Sequence, residues 1–172
     1  LGSVQNTKHE IFHCIAAACA ELDVQLVITG MSAVEQPFPG QPIVVEYAPQ
    51  LDLLSRASLT ITHGGLNTVL DSLIQGVPLV AIPITFEQPG NGARIRYTGT
   101  GEVISLSRLQ PYRLRKAIQK VMADQSYRHN ALKIQQVIRN AGGVKRAADI
   151  IEQAIDSYKG YSSSFPETCY SV

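Results

Sequence analysis

Apolar residues in the first two thirds of the chain occur in short continuous runs, and most of these runs lead into a segment with helical spacing. The runs predict buried strands at Gln25–Thr29, Ile43–Tyr47, Leu59–Thr62, Leu79–Pro83 and Val103–Leu106. Strands that are continuously hydrophobic and alternate with helices are typical of a parallel sheet that is covered on both faces. The pattern therefore predicts a doubly wound α/β fold.

Helical periodicity dominates both ends of the chain. Thr7 and Glu10 match a capping box in front of an apolar face, which predicts a first helix from about Thr7 to Leu22. The C-terminal third shows three successive amphipathic patterns, and the last of them stops before the C-terminus. We therefore expect one domain over residues 1–158 and a flexible tail over residues 159–172.

The composition fits a single compact domain with a sizeable apolar core, because 45% of the 172 residues are hydrophobic and 17% are charged. The formal net charge is +1 and the basic residues are scattered, which gives no electrostatic reason to expect nucleic acid as a partner. No apolar run approaches the roughly 20 residues that span a bilayer, so no transmembrane segment is expected. Cys14 and Cys19 share one helical stretch, and this usage suits a reducing compartment.

The first residues, Leu1-Gly2-Ser3, resemble the end of a strand that enters a loop. No basic and apolar leader stands at this end of the sequence. We therefore expect that the first strand of the domain is truncated and that the sequence begins inside a longer protein.

Three junctions between a strand and the following helix have the composition of ligand-binding loops: residues 2–6, 63–68 and 85–90. In open parallel sheets, ligands bind at the carboxyl ends of strands, where a helix begins with unpaired backbone N–H groups. The second junction, His63-Gly64-Gly65-Leu66-Asn67-Thr68, combines two glycines, a helix start and polar side chains, which outlines a cradle for a diphosphate. The same residues also fit a tight turn whose histidine is satisfied by the backbone.

Other cofactor-binding patterns are absent from the sequence. No G-x-G-x-x-G follows a strand and no G-x-x-x-x-G-K-[ST] occurs, which argues against a dinucleotide-dependent oxidoreductase and against an ATPase. No Asp-x-Asp pair occurs, and His9, His13 and His129 form no ligand cluster with cysteine or carboxylate. We therefore expect neither a metal nor another cofactor.

An ordered set of residues runs from Tyr47-Ala48-Pro49-Gln50 through the 63–68 junction, Asp71 and Gly76-Val77-Pro78 to Glu87-Gln88. This pattern resembles the donor-binding signature of UDP-sugar glycosyltransferases of the GT-B fold, and it looks most like bacterial enzymes similar to zeaxanthin glucosyltransferase and the macrolide glycosyltransferases. The resemblance implies a Rossmann-like parallel sheet with helices on both faces, the C-terminal half of a GT-B enzyme. It also implies that the ligand is a UDP-hexose, with UDP-glucose as the expected donor.

The resemblance implies a role for each matched residue around the base and the diphosphate. Tyr47 takes the place of a frequent tryptophan that stacks on uracil, and Ala48 and Gln50 would help to frame the base. The residues implied in holding the diphosphate are Gly2, Ser3, His63, Gly65, Leu66, Asn67 and Thr68. Structural alternatives stay open: Tyr47 also fits an aromatic plug at a strand end, and Gln50 also fits the start of a helix.

The resemblance implies that Asp71 binds the ribose hydroxyls and that Glu87 and Gln88 contact the hydroxyls of the sugar. Asp71 is one methylene shorter than the glutamate of plant members, and Glu87 stands in place of an aspartate, which leaves the identity of the sugar open. Asp71 also fits an acidic residue placed for the helix dipole, and the Glu87-Gln88 pair also fits a helix cap.

The implied reaction is a metal-independent, inverting transfer of the sugar to a hydroxyl of a small lipophilic acceptor. The general base, a histidine in this family, and the acceptor pocket belong to an N-terminal domain that is absent from this sequence. We therefore expect donor binding without turnover by this chain alone, in a cytoplasmic protein that meets a membrane only through its acceptor. The alternatives are the donor-binding subunit of a bipartite N-acetylglucosaminyltransferase and a nucleotide-sugar epimerase on the same scaffold.

Overall fold

The computed structural model of the chain describes residues 9–31 and 37–162, with side chains as far as residue 158. Within these residues the strands are β1 (Val27–Thr29), β2 (Ile43–Val45), β3 (Thr60–Thr62), β4 (Leu79–Ala81) and β5 (Gly101–Val103). The helices are α1 (His9–Cys19), α2 (Gln50–Arg56), α3 (Leu66–Ile74), α4 (Gln88–Tyr97), α5 (Pro111–Ala123), α6 (Gln125–Asn140) and α7 (Gly143–Ser162). The predicted alternation of strands and helices is confirmed.

The last strand begins earlier than the hydrophobic pattern predicts. The pattern predicts Val103–Leu106, but β5 comprises Gly101–Val103 and pairs with β4. Leu106 instead begins a 3-10 turn that extends to Arg108. Gly99 and Gly101 have no apolar side chain, so the hydrophobic pattern does not mark the start of this strand.

The terminal helices each differ from the predicted bounds. α1 ends at Cys19 rather than at Leu22, because the Leu22 amide turns back and donates to the Cys19 carbonyl at 2.9 Å. α7 runs to Ser162, past the predicted start of the tail. The capping residue Thr7 and residues 163–172 of the expected tail lie outside the described residues.

The described strands are parallel, as predicted, and they form two ladders. β1 pairs with β2, and β3, β4 and β5 pair in that order. The described residues contain no strand before α1.

β4 lies at the centre of the main hydrophobic core. Leu79, Val80, Ala81 and Ile82 are fully buried, and α1 and α5 pack against each other in the same cluster. Burial of a large apolar side chain of this kind contributes about 1.5–3 kcal/mol relative to leaving it exposed. The buried strand holds the loop at its carboxyl end in a fixed place, which is what a binding site requires.

The predicted site residues that the structure describes all lie in the first of two compact units, residues 1–135. The second unit, residues 136–172, contains the end of α6 and the amphipathic α7 in its described part. Gly142 and Gly143 join these two helices with positive φ angles of 78° and 52°.

Candidate functional site

The described strand-to-helix corners that the sequence singles out are linked to one another by side chains. Gln50, at the start of α2, donates from Nε2 to Oδ2 of Asp71 in α3 at 2.6 Å. Asn91 of α4 donates from Nδ2 to the carbonyl oxygen of Gly64 at 2.8 Å. The corners that follow β2, β3 and β4 therefore meet at one edge of the fold, where the carboxyl ends of parallel strands are expected to lie.

The N-terminus of α3 offers unpaired backbone donors. Gly65 is the N-cap residue, with φ −61° and ψ 135°, and no side chain caps the helix. The first helical hydrogen bond runs from the Val69 amide to the Gly65 carbonyl at 3.1 Å, so the amides of residues 66–68 have no helical partner. Together with the helix dipole, these amides make a concentrated positive potential that favours an anion.

His63 lies immediately beside this helix N-terminus and is 9% exposed. Its Nδ1 atom is buried and has no hydrogen-bond partner in the part of the chain that the structure describes. Burial lowers the pKa of His63 below its ordinary value of 6.5, so the imidazole is neutral at pH 7. A buried polar atom without a partner is rare in folded proteins and calls for a ligand or a bound water.

The two glycines after His63 are required for different reasons. Gly64 has a φ of +87°, a conformation that residues with a side chain rarely adopt. Gly65 has an ordinary φ, but a Cβ atom there would lie 2.6 Å from Nε2 of His63. The space that a side chain at position 65 needs is thus filled by the imidazole.

Replacement of Gly65 with alanine is therefore expected to displace the His63 ring and to lower the free energy of unfolding by about 1–3 kcal/mol, the usual cost of overpacking. Urea denaturation and the ring NMR signals of His63 measure the two effects. Gly90 of α4 is the matched control, because a Cβ there meets no atom within 4 Å. A Gly65→Ala protein with wild-type stability and an unshifted His63 signal would refute this packing.

Tyr47 follows β2 and points its ring to solvent, since 83% of the residue is exposed. The alternative interpretation, an aromatic plug in the core, is therefore wrong for this residue. A planar ring held at a strand end is available for stacking on another planar group. Ala48, the next residue, is half-buried and contributes no polar side-chain group.

Gln50 is the first residue of α2, as the helix-start alternative predicts, and its side chain also reaches α3. Its amide nitrogen holds one oxygen of the Asp71 carboxylate, while both residues border solvent. The other carboxylate oxygen of Asp71 has no hydrogen bond within the described residues. Asp71 therefore presents a free acceptor at the edge of the site, held in place by Gln50.

Glu87 and Gln88 differ in their surroundings although they are adjacent. Glu87 is exposed and makes no side-chain cap on α4, which disagrees with a capping role for this residue. Gln88 is 4% exposed, and its Oε1 accepts hydrogen bonds from the amides of Ile84 and Thr85 at 2.9 and 3.0 Å. Because backbone N–H groups occupy the carbonyl end of the Gln88 side chain, its amide nitrogen is the end left to bind a ligand.

The structure places the remaining predicted residues as follows. Leu66 and Asn67 are exposed in the first turn of α3, and Thr68 is half-buried next to them. Gly2 and Ser3 lie outside the described residues. Sequence reasoning missed Asn91, whose only local signal is an unfavourable helix residue between two glycines.

A cavity of about 480 Å³ lies at the opposite edge of the sheet, where β5 begins. There Lys120 and Tyr127 both donate hydrogen bonds to the carboxylate of Glu102. Burial raises the pKa of Glu102, but these two hydrogen bonds outweigh the effect, and the net shift is downward. The cluster ties α5 and α6 to β5 and uses none of the residues that the sequence singled out.

The described part of the chain contains neither a metal-binding cluster nor a membrane-spanning helix. No group of three or more histidine, cysteine, aspartate or glutamate side chains there is arranged to hold a metal ion. Among the same residues, no helix has the length and apolar character needed to cross a bilayer.

Residues 1–143 match the family model described as UDP-glucoronosyl and UDP-glucosyl transferase. The sequence is 37% identical over 161 residues to zeaxanthin glucosyltransferase from Pantoea ananas, and the match covers 90% of this chain and 37% of that protein. The model match therefore includes every residue singled out above.

Solved structures share the fold. The calicheamicin glycosyltransferase CalG4 matches with a TM-score of 0.83 and 28% identity, over 92% of this chain and 42% of that one. Os79 from O. sativa, in a complex with UDP and deoxynivalenol-3-glucoside, matches with a TM-score of 0.62 over 77% of this chain and 42% of that one, and at 21% identity this likeness shows the fold alone. The chain spans about two fifths of the length of the proteins that it matches.

Proposed function

Because the chain belongs to the UDP-glucoronosyl and UDP-glucosyl transferase family, we propose that it is the donor-binding part of a UDP-sugar glycosyltransferase of the GT-B fold. The observation that carries this proposal is the buried imidazole of His63, whose Nε2 lies beside Gly65 at the uncapped N-terminus of α3 and whose Nδ1 has no partner within the described residues. Free backbone donors and a neutral, buried imidazole are suited to the oxygens of a diphosphate.

The nucleoside is proposed to lie across the corner that follows β2. The exposed ring of Tyr47 would stack on uracil, an interaction worth roughly 1–3 kcal/mol for a base on an aromatic ring. The free oxygen of Asp71 would accept a hydrogen bond from a ribose hydroxyl, and Gln50 would keep that carboxylate in place. In this arrangement, groups on two adjacent corners would contact the base and the ribose of one nucleotide.

The sugar is proposed to lie before the N-terminus of α4. The exposed carboxylate of Glu87 accepts hydrogen bonds, and the amide nitrogen of Gln88 donates them, which is the combination that neighbouring hydroxyls require. A neutral hexose fits this pair, and we propose UDP-glucose as the donor.

The departing diphosphate is proposed to be stabilised without a metal ion or another cofactor. The amides of residues 66–68 already point from a fixed helix, so they need no rearrangement as negative charge develops on the leaving group. His63 would add a hydrogen bond to the same oxygens. Inverting transfer would then deliver the sugar to a hydroxyl of a small lipophilic acceptor.

The general base and the acceptor pocket are proposed to belong to an N-terminal domain of the same protein. The matched glycosyltransferases are more than twice as long as this chain, which supports such a partner domain. The bipartite alternative, in which a separate subunit supplies the acceptor and N-acetylglucosamine is transferred, has no observation in its favour. The free thiols of Cys14 and Cys19 support a reducing, cytoplasmic location.

Calorimetric titration of the 172-residue chain with UDP, TDP, UDP-glucose and UDP-N-acetylglucosamine tests the proposal. We expect UDP and UDP-glucose to bind, with the same affinity in EDTA as in magnesium, and no transfer to any acceptor by this chain alone. Failure to bind UDP would contradict the donor-site assignment, and a strong dependence on magnesium would contradict the metal-free site. A preference for UDP-N-acetylglucosamine would favour the bipartite alternative.

A further inference from the structure

Asn91 is a buried polar residue of α4 that the proposed chemistry does not use. It is 4% exposed, its Nδ2 donates to the Gly64 carbonyl at 2.8 Å, and its Oδ1 accepts from Arg94 at 3.3 Å. A carbonyl only accepts and a guanidinium only donates, so the partners fix which end of the Asn91 amide faces Gly64. The side chain therefore holds one backbone carbonyl of the cradle.

The carbonyl of Gly64 and the amide of Gly65 belong to one planar peptide unit. The described residues contain no cis peptide bonds, and in a trans peptide the C=O and N–H bonds point in opposite directions. Since the Gly64 carbonyl points to Asn91 on α4, the Gly65 amide must point away from α4. This amide donates to no other group within the described residues, so it is free for a ligand.

This peptide unit has little else to fix its orientation. Gly64 has no side chain, and its φ of +87° lies in a region where glycine moves between conformations at low cost. A glycine pair in a loop is free to rotate the peptide between its two residues unless another group holds it. The preceding peptide unit is held by the Gly64 amide, which donates to Oγ1 of Thr62 at 3.2 Å, but within the described residues the peptide between Gly64 and Gly65 makes only the hydrogen bond from Asn91.

We propose that Asn91 is a positioning residue: by holding the Gly64 carbonyl, it turns the Gly65 amide toward the diphosphate. The inference rests on the proposed function, because it takes the anion at the N-terminus of α3 to be that diphosphate. Asn91 stands on the same helix as Gln88, so this bond also sets the separation between the diphosphate and the sugar.

The test compares the binding of UDP and of uridine to the full chain carrying Asn91→Ala, a change that adds no charge. We expect the affinity for UDP to fall about tenfold, as for the loss of one hydrogen bond to a charged group, while the affinity for uridine is unchanged. A residue with a merely structural role would lower both affinities together. NMR titration measures both dissociation constants, including weak ones.

Gln135→Ala is the matched control. Gln135 is also a buried amide, 7% exposed, and its Nε2 donates at 2.8 Å to the Ile74 carbonyl at the other end of α3. We expect this variant to lose a similar amount of stability and to bind UDP as the wild type does. An equal loss of UDP affinity in both variants, or none in Asn91→Ala, would overturn the proposal. Absence of UDP binding by the wild type would instead contradict the proposed function itself.

A measurement on the unaltered chain covers the case in which Asn91→Ala does not fold. The backbone ¹H–¹⁵N signal of Gly65 is expected to move strongly downfield with UDP and to stay in place with uridine, because only UDP carries the oxygens that accept this hydrogen bond. A Gly65 signal that UDP leaves unmoved would overturn the assignment of this amide.

Discussion

Replacement of Gly101 with alanine is expected to lower the free energy of unfolding by roughly 3 kcal/mol or more, the largest loss of stability that we expect from any substitution considered. A Cβ atom at this position would lie 2.0 Å from the backbone oxygen of Leu79 and 3.0 Å from a methyl group of Ile95. Both neighbours are buried, and Leu79 is the residue of β4 that pairs with Gly101. The backbone of the central strand cannot give way as a flexible side chain does, so the β4–β5 ladder must open.

Gly90→Ala is the control for this prediction, because both changes add the same methyl group to a glycine. Gly90 lies in α4 with nothing within 4 Å of a Cβ, and alanine favours a helix by up to about 1 kcal/mol over glycine. Urea denaturation should therefore show Gly90→Ala at or above wild-type stability and Gly101→Ala far below it. Equal stabilities for the two variants would show that the strands do not approach as described.

Replacement of His63 with alanine is expected to weaken UDP binding by roughly 10- to 100-fold, because it removes a hydrogen bond to a charged oxygen from a buried position. The fold is expected to survive, since Nδ1 of His63 makes no hydrogen bond within the described residues. Calorimetry with UDP, alongside a thermal melt, measures the two effects. Unchanged UDP affinity would remove His63 from the site.

His63 also predicts how stability depends on pH. Because burial lowers its pKa in the folded state below 6.5, the unfolded chain takes up the proton first as the pH falls. The contribution of the neutral imidazole to the free energy of unfolding is therefore complete above pH 6.5. It is lost as the pH falls from 6.5 through the folded-state pKa of His63. Glutamine does not titrate, so the stability of His63→Gln should lack this decrease below pH 6.5. Identical profiles of unfolding free energy against pH for the two proteins would contradict the prediction.

Local sequence patterns determined the elements of the fold and the composition of the candidate binding corners. Continuous apolar runs such as Leu79–Pro83 predicted buried parallel strands, because a strand covered on both faces has no polar side. The 63–68 junction is likewise predicted as a candidate anion-binding loop from local sequence. Two glycines between a strand and a helix leave backbone amides uncovered, and this depends only on residues that are adjacent in the chain.

Other features were decided by tertiary structure alone. The sequence did not reveal that the imidazole of His63 occupies the space beside Gly65, that Gln88 turns its carbonyl end to the loop, or that Asn91 holds Gly64. It also placed β5 too late, because pairing with Leu79 rather than hydrophobicity sets the position of Gly101.

The physical reason is the range of the interactions. Helical and strand periodicity, turn formation and helix dipoles act over a few neighbouring residues, so a single sequence records them directly. Hydrogen bonds such as that from Asn91 to Gly64 join residues 27 positions apart, and they exist only once packing has brought two elements together. The sequence by itself thus determined which groups are available for the proposed diphosphate, and the tertiary structure decided which way they point.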